Sequence, residues 1–405
     1  MTARPMFFLL ITFFIAVPAD AQKPRTFVLN ADTLAAVQER VFRGDKAYAP
    51  ALKRLTKDAG KAMEQEIVAI TSKTVLPPSG DAHDYYSLSR YWWPDPSKPD
   101  GLPYIRRDGD VNPEIEKVTD HVTLNQFIKT VHTLALAYYY TGNEQYAERA
   151  ALWLRTWLVD PATRMSPHLR YAQMVMGRKE ERGTGILDAR EFSQLVDAIG
   201  ILRLSRSLTP ADNEAVTAWF KQYLRWLLES PNGWHERGAR NNHGSWWDVQ
   251  TTAIALFVGD KATAAMICDS AKVKRIGYQF QPDGSQPEEL VRTLSYHYCQ
   301  FNLFALTRLA DLARHTGVDL WGYTTADGRS MRGGLDYLIP YAKKEKKWEH
   351  VQIKEMDFDM VSFSALKASA RFGDTAYRAF FEQYYSGNRE TDRIILMYGV
   401  PPVRR

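Results

Sequence analysis

The sequence predicts an all-α fold: an incomplete (α/α) toroid of about six to seven helical hairpins, with long loops over a cleft at one end. Three observations predict it. Apolar residues recur at close to 3.6-residue spacing through most of the chain. The helical stretches come in consecutive pairs joined by turns, with no fixed repeat period, which disfavours an open solenoid of repeats. The loops between them are long and uneven, as in a ring that carries its function at one end.

In chain order, residues 1–21 (MTARPMFFLLITFFIAVPADA) read as a signal peptide. Arg4 supplies the positive start, Met6 to Val17 an apolar run too short to span a bilayer, and Ala19-Asp20-Ala21 a small-x-small cleavage site. Residues 22–405 are then one mature domain, periplasmic or secreted, with no membrane anchor and expected as a monomer. Residues 76–118 are rich in proline, aspartate and aromatics, including Tyr91-Trp92-Trp93, and read as a lid or wall over the cleft. Periodicity predicts helices over 120–141 and 146–158, broken at Thr141-Gly142-Asn143. The next pair falls at 190–207 and 211–229, with Thr209 as N-cap, Pro210 as first helical residue and Asp212 beside the free amides. Residues 160–188 and 230–242 read as irregular. Further helices fit 244–258, 261–274, 287–316 and 331–347; strand-like alternation appears only at 349–361.

Composition bounds the partners. Hydrophobic residues are 45% and charged residues 24%, a globular balance that excludes disorder. Aromatics reach 12%, more than a core needs, which suits a cleft that stacks on flat ligands. A net charge of +5 suits an anionic partner. Nucleic acid is not expected: the one dense basic run, KKEKK at 343–347, reads as a solvated helix end. Cys268 and Cys299 read as two buried thiols rather than a bridge. No metal-ligand spacing is present, so neither metal nor cofactor is expected.

Two stretches concentrate chemistry. RNNHGSWW (240–247) sets Asn242 and His243 side by side at the mouth of a predicted helix, with Trp246 behind. Amides that stay neutral and an imidazole that titrates near neutral pH suit gripping a carboxylate and moving a proton. In QPEELVRTLSYHYCQFNL (286–303), Tyr298 lies four residues after Leu294 and three before Phe301, so it shares their helix face. Arg292 is about 600° away on an ideal helix, so either it precedes the regular helix or Tyr296 is its facial partner. Tyr, His, Asn and Arg without a metal suit β-elimination on a uronic acid: cations and amides stabilise the enolate-like intermediate, and a phenol whose pKa a cation lowers serves as base and acid. Hydrolysis would need two carboxylates flanking the bond.

These stretches, with DYYSLSRYWWPDPSKPDGLPYIRRDGDVNPE (84–114), LNQFIKTVHTLALAYYYTGN (124–143) and RGTGILD (182–188), resemble the alginate-lyase superfamily of helical-toroid polysaccharide lyases. The likeness is strongest to polysaccharide lyase family 38 and more distant to family 5. It implies a metal-independent lyase acting on alginate, an anionic polysaccharide, with glucuronan or another polyuronate as the alternative. It places the family's Asn-His pair on Asn242 and His243, its arginine on Arg292 and its tyrosine on Tyr298; the family 5 spacing would select Tyr296. Tyr91, Trp92, Arg106 and Trp246 are expected to line the cleft. A non-catalytic helical scaffold or sugar-binding protein would keep the helices without needing Tyr298.

Overall fold

The computed structural model describes residues 23–178, 182–388 and 390–400; the expected leader, residues 1–21, lies outside them. The helices are α1 (Ala31–Phe42), α2 (Ala49–Glu64), α3 (Asp120–Thr141), α4 (Glu144–Leu154), α5 (Phe192–Leu202), α6 (Pro210–Glu229), α7 (Pro231–Gly238), α8 (Asn242–Val258), α9 (Lys261–Ala271), the short α10 (Gly277–Gln279) and α11 (Pro287–Leu290), α12 (Ser295–Ala313), α13 (Met331–Ala342), α14 (Asp359–Phe372), α15 (Thr375–Tyr384) and α16 (Ile394–Tyr398). Six consecutive pairs, α1–α2, α3–α4, α5–α6, α8–α9, α12–α13 and α14–α15, account for the toroid among the described residues. Helices α3, α5, α8, α12 and α14 pack side by side in that order as the inner ring. Their burial follows: α8 is buried on every side from Gly244 to Phe257, as an inner helix must be.

Sequence-local chemistry sets the ends. Thr209 and Asp212 form the capping box that starts α6, and the left-handed Gly142 and Gly259 end α3 and α8. Cys268 and Cys299 are both buried free thiols.

Several elements depart from the pattern read in the sequence, short strands within 86–106 and at 171–174 among them. The helix expected over 287–316 breaks at residues 291–294, where the backbone of Thr293–Ser295 pairs with Val351–Ile353 through the Ser295 N–H to Val351 (3.2 Å) and the Ile353 N–H to Thr293 (3.0 Å). The alternation at 349–361 therefore yields one isolated bridge, Leu294 with Gln352, and no strand. Residues 231–238, expected to be irregular, form α7 because Ser230 caps it by accepting from the Gly233 N–H (3.0 Å) and Pro231 sits at its first position.

The 76–118 stretch becomes an arm over one end of the ring. Its strand β1 (Tyr86–Leu88) runs parallel to β4 (Tyr171–Met174), and β2 (Trp92–Trp93) pairs antiparallel with β3 (Ile105–Arg106), Trp92 facing Arg106. At a separate seam the chain fastens its two ends. The buried Asp197 accepts the N–H groups of Phe27 (2.6 Å), Val28 (3.0 Å) and Leu29 (2.7 Å), and Arg314 donates to the carbonyls of Phe27 and Leu29. Tyr140 donates to the Leu396 carbonyl (2.6 Å), and α16 packs on α1 and α2.

Candidate active site

The RNNHGSWW stretch is shaped by its surroundings. Asn241 caps α8, accepting from the His243 N–H at 3.2 Å, so Asn242 and His243 open the first turn. Gly244 is required: a Cβ there would lie 2.2 Å from the Ala239 carbonyl oxygen and 2.5 Å from the Arg275 guanidinium. Arg275, buried and paired with Asp248, also donates to the carbonyls of Arg237 (2.9 Å) and Ala239 (2.8 Å). It thereby clamps the turn between α7 and α8 so that Glu236 of α7 meets His243.

That meeting is the centre of the site. Glu236 is 0% exposed, and its carboxylate lies 2.6 Å from His243 Nδ1, which leaves Nε2 for the cleft. Burial alone would lower the imidazole's pKa. The charge and hydrogen bond of Glu236, helped by Glu289, outweigh burial and hold it above the ordinary histidine value.

Tyr298 opens onto the same end from the first turn of α12. Its hydroxyl donates to that of Tyr91 on the arm at 3.0 Å, and the Arg292 guanidinium lies 3.6 Å from its ring centroid. Arg292 precedes α12, in the break that pairing with 351–353 creates, which resolves its position against Tyr298. Tyr296 is fully buried instead, its hydroxyl donating to the Leu338 carbonyl at 3.3 Å between Trp348 and Phe358. Arg292 also grips Asp108 of the arm, through Nη2 at 2.6 Å and Nε at 3.0 Å. Asp108 further accepts from the Thr293 N–H and from Arg106. Burial would raise its pKa, but these donors hold the carboxyl well below the usual carboxylate range. Gly109 makes this docking possible: it takes φ +79°, and a Cβ would meet Thr293 Oγ1 at 2.5 Å.

Three expectations are corrected. Asn242 was read as a carboxylate grip, yet it is 0% exposed and its Nδ2 donates to both oxygens of Glu289 at 3.0 Å. It props the wall of the site. Trp246 was read as a cleft residue, yet it is 1% exposed, packed against Phe301 and Phe304 with Arg308 over its ring, because it lies on the side of α8 that faces α12. A nearby cation was expected to lower the phenol's pKa. Burial and Tyr91 outweigh Arg292, and Tyr298 is raised well above the usual tyrosine value. Tyr91 and Trp92 are half-buried on the arm, Trp92 with Arg178 and Arg182 over its ring at 4.7 and 5.4 Å, and Arg106 is exposed.

Glu236, Glu289 and Asp108 were not singled out as site residues from the sequence. Their signal was available: a buried imidazole or guanidinium demands an acid, and acids stand in HERG, EELVR and RRDGD. Glu236 and Glu289 are at most 1% exposed, and Asp108 is engaged by two arginines, so none is placed as one of the two carboxyls a hydrolase sets about a glycosidic bond.

A helical toroid that gathers a phenol, an imidazole and a guanidinium under an arm at one end is the architecture of a polysaccharide lyase. The chain belongs to the alginate lyase family, whose sequence profile matches residues 69–348. It is similar to the crystal structure of an alginate lyase from Bacteroides ovatus, at 39% identity over 93% of this chain and 99% of that one, with a TM-score of 0.88. Alginate lyase A1-III from Sphingomonas species A1 shares the fold at 19% identity and a TM-score of 0.58, over 89% of this chain and 92% of that one. A histidine variant of A1-III complexed with a tetrasaccharide aligns at 19% identity, covering 94% and 97%, with a TM-score of 0.60. A search of curated proteins returns no match.

Proposed function

We propose that this lyase cleaves alginate by β-elimination, with Tyr298 and His243 moving the protons. The observation that carries the reading is the pairing of a raised-pKa phenol, Tyr298, with a guanidinium on its ring face and an imidazole backed by a buried carboxylate. The substrate carboxylate next to C5 takes the positive end of the site, His243 in its protonated form and the Arg292 edge not engaged by Asp108. That charge stabilises the enolate-like intermediate formed when H5 leaves. Tyr298, protonated across the working range, gives its proton to the departing O4.

The two uronates divide the work. In mannuronate H5 and O4 lie on the same side, so Tyr298 gives its own proton to O4 as the bond breaks while its oxygen takes H5 in the same step and ends protonated again, and His243 stays protonated against the carboxylate. In guluronate they lie on opposite sides. Neutral His243, its Nδ1–H donating to Glu236, then takes H5 on Nε2 while Tyr298 donates to O4. The sign follows: activity on polymannuronate falls as pH rises through the raised His243 pKa, and activity on polyguluronate rises through it. Initial rates against pH on the two polymers, read by the absorbance of the conjugated unsaturated uronate, check this. Superimposable profiles would sink the assignment of His243.

The same assay on glucuronan decides between alginate and another polyuronate. The leader read in residues 1–21 suits export to the periplasm or beyond; a mature N-terminus at Gln22 is the expected result of sequencing the exported protein.

A further inference from the structure

A groove of about 910 Å³ lies between α2, α3 and the residues Asn388, Thr391, Asp392 and Arg393, at the seam where α16 packs on α1 and α2. That volume is within the range of ligand sites, about 300–1,000 Å³. Its walls are polar where a seam between helices would ordinarily be apolar. On α3, the stripe Val122, Asn125, Gln126, Lys129 and Thr133 faces it at helical spacing, on a helix whose other faces are buried. On α2, Arg54, Asp58, Lys61 and Gln65 face it in the same way.

Its charge is one-sided. Arg54, Lys61, Lys129 and Arg393 stand against Asp58 and Asp392. Asp58 is already shared by Arg54 (3.2 Å) and Arg393 (3.4 Å), and Asp392 accepts from the hydroxyl of Tyr385 (3.1 Å). Lys61 and Lys129, both exposed, have no carboxylate partner among the described residues. One of its residues is tied to the arm: Asn125 bonds the His121 carbonyl, and His121 meets the hydroxyl of Tyr85 at the root of the arm that carries Tyr91.

We propose that this groove is a second binding site for an acidic polysaccharide, holding carboxylates of the chain away from the bond that is cut. Amide and hydroxyl groups match sugar hydroxyls, and the two free ammonium groups match carboxylates repeated along a polymer. The proposal rests on the polyuronate reading above.

The test uses the full-length Tyr298→Phe protein as a non-cutting binder, alone and with Lys61→Ala and Lys129→Ala together. Isothermal calorimetry with long polymannuronate should show a five- to ten-fold weaker affinity for the lysine variant, with binding of a tetrasaccharide unchanged. In the otherwise native enzyme the same pair should raise KM on polymer by a similar factor and leave kcat, and KM on the tetrasaccharide, alone. Lys346→Ala with Lys347→Ala removes the same charge elsewhere and should change neither. Equal effects of the two lysine pairs, or equal loss on polymer and tetrasaccharide, would overturn the proposal. Failure of the lyase reading shows separately, as absence of unsaturated product from the native enzyme on every uronan, whereas the binding arm still reports on the groove.

Discussion

The ring and the arm contribute to the site in opposite ways. The ring's groups are buried and multiply held: Glu236 and Asn242 are fully covered, and Arg275 clamps the turn that aligns them. The arm's groups, Tyr91, Arg106 and Asp108, reach the ring through a hydroxyl pair and one carboxylate. The difference teaches that the turn carrying Glu236 and His243 is fixed within the ring, while the tip of the arm is tied to it by a few polar contacts.

The sharpest break between the two comes from the ring. Tyr298→Phe removes the proton donor without removing the ring face that Arg292 covers, and should lower kcat on the order of 10³-fold on every uronan with an unchanged thermal midpoint. A parent-like rate would remove the phenol from the mechanism. Glu236→Gln keeps the shape but takes away the charge that raises His243. Turnover of polyguluronate should fall on the order of 10²-fold, and the pH at which polymannuronate turnover declines should move down. A uniform loss with no change in profile would make Glu236 merely structural. Asp108→Ala addresses the arm: freed of its counter-charge and its tie, Arg292 remains but the arm loosens, and kcat/KM should drop about ten-fold, since positioning alone is lost. Should that loss match the one for Tyr298, the arm would belong with the chemistry. Smallest of all, Trp246→Phe should leave KM within about twofold while lowering stability by ~1–3 kcal/mol, as a trimmed core residue does. A raised KM at unchanged stability would return Trp246 to the cleft.

The same contrast explains what the sequence disclosed. The 3.6-residue period, the Thr209-Pro210-Asp212 start of α6 and the lone Gly142 are local signals, and the structure follows them. Tyr298 was singled out by a helix face shared with Leu294 and Phe301, yet α12 begins only at Ser295, so Phe301 alone shares the helix with it. Glu236 and Asp108 were not, because the partner of each lies on another element: His243 across the α7–α8 turn and Arg292 across 184 residues. The break before α12 was hidden for the same reason. Helical periodicity runs through residues 287–316, and only backbone pairing with 351–353 overrides it. Asn242 and Trp246 misled because what covers each lies on another element: Glu289 holds Asn242, and Phe301 and Phe304 of α12 cover Trp246.

The fastening of the ring has a consequence for how the protein is made. Arg314 reaches back 287 residues to Phe27, and Tyr140 reaches forward 256 to Leu396. Contacts at such separations form late, because closing so long a loop costs chain entropy before the contact is gained. A nascent polypeptide can stack its middle helices as they emerge and bring Arg314 to Phe27, yet the Tyr140–Leu396 tie waits until α16 has been synthesised. Synthesis of α16 thus acts as the buckle for this tie, and a translation product that stops short of it is left with an open seam for proteases to find.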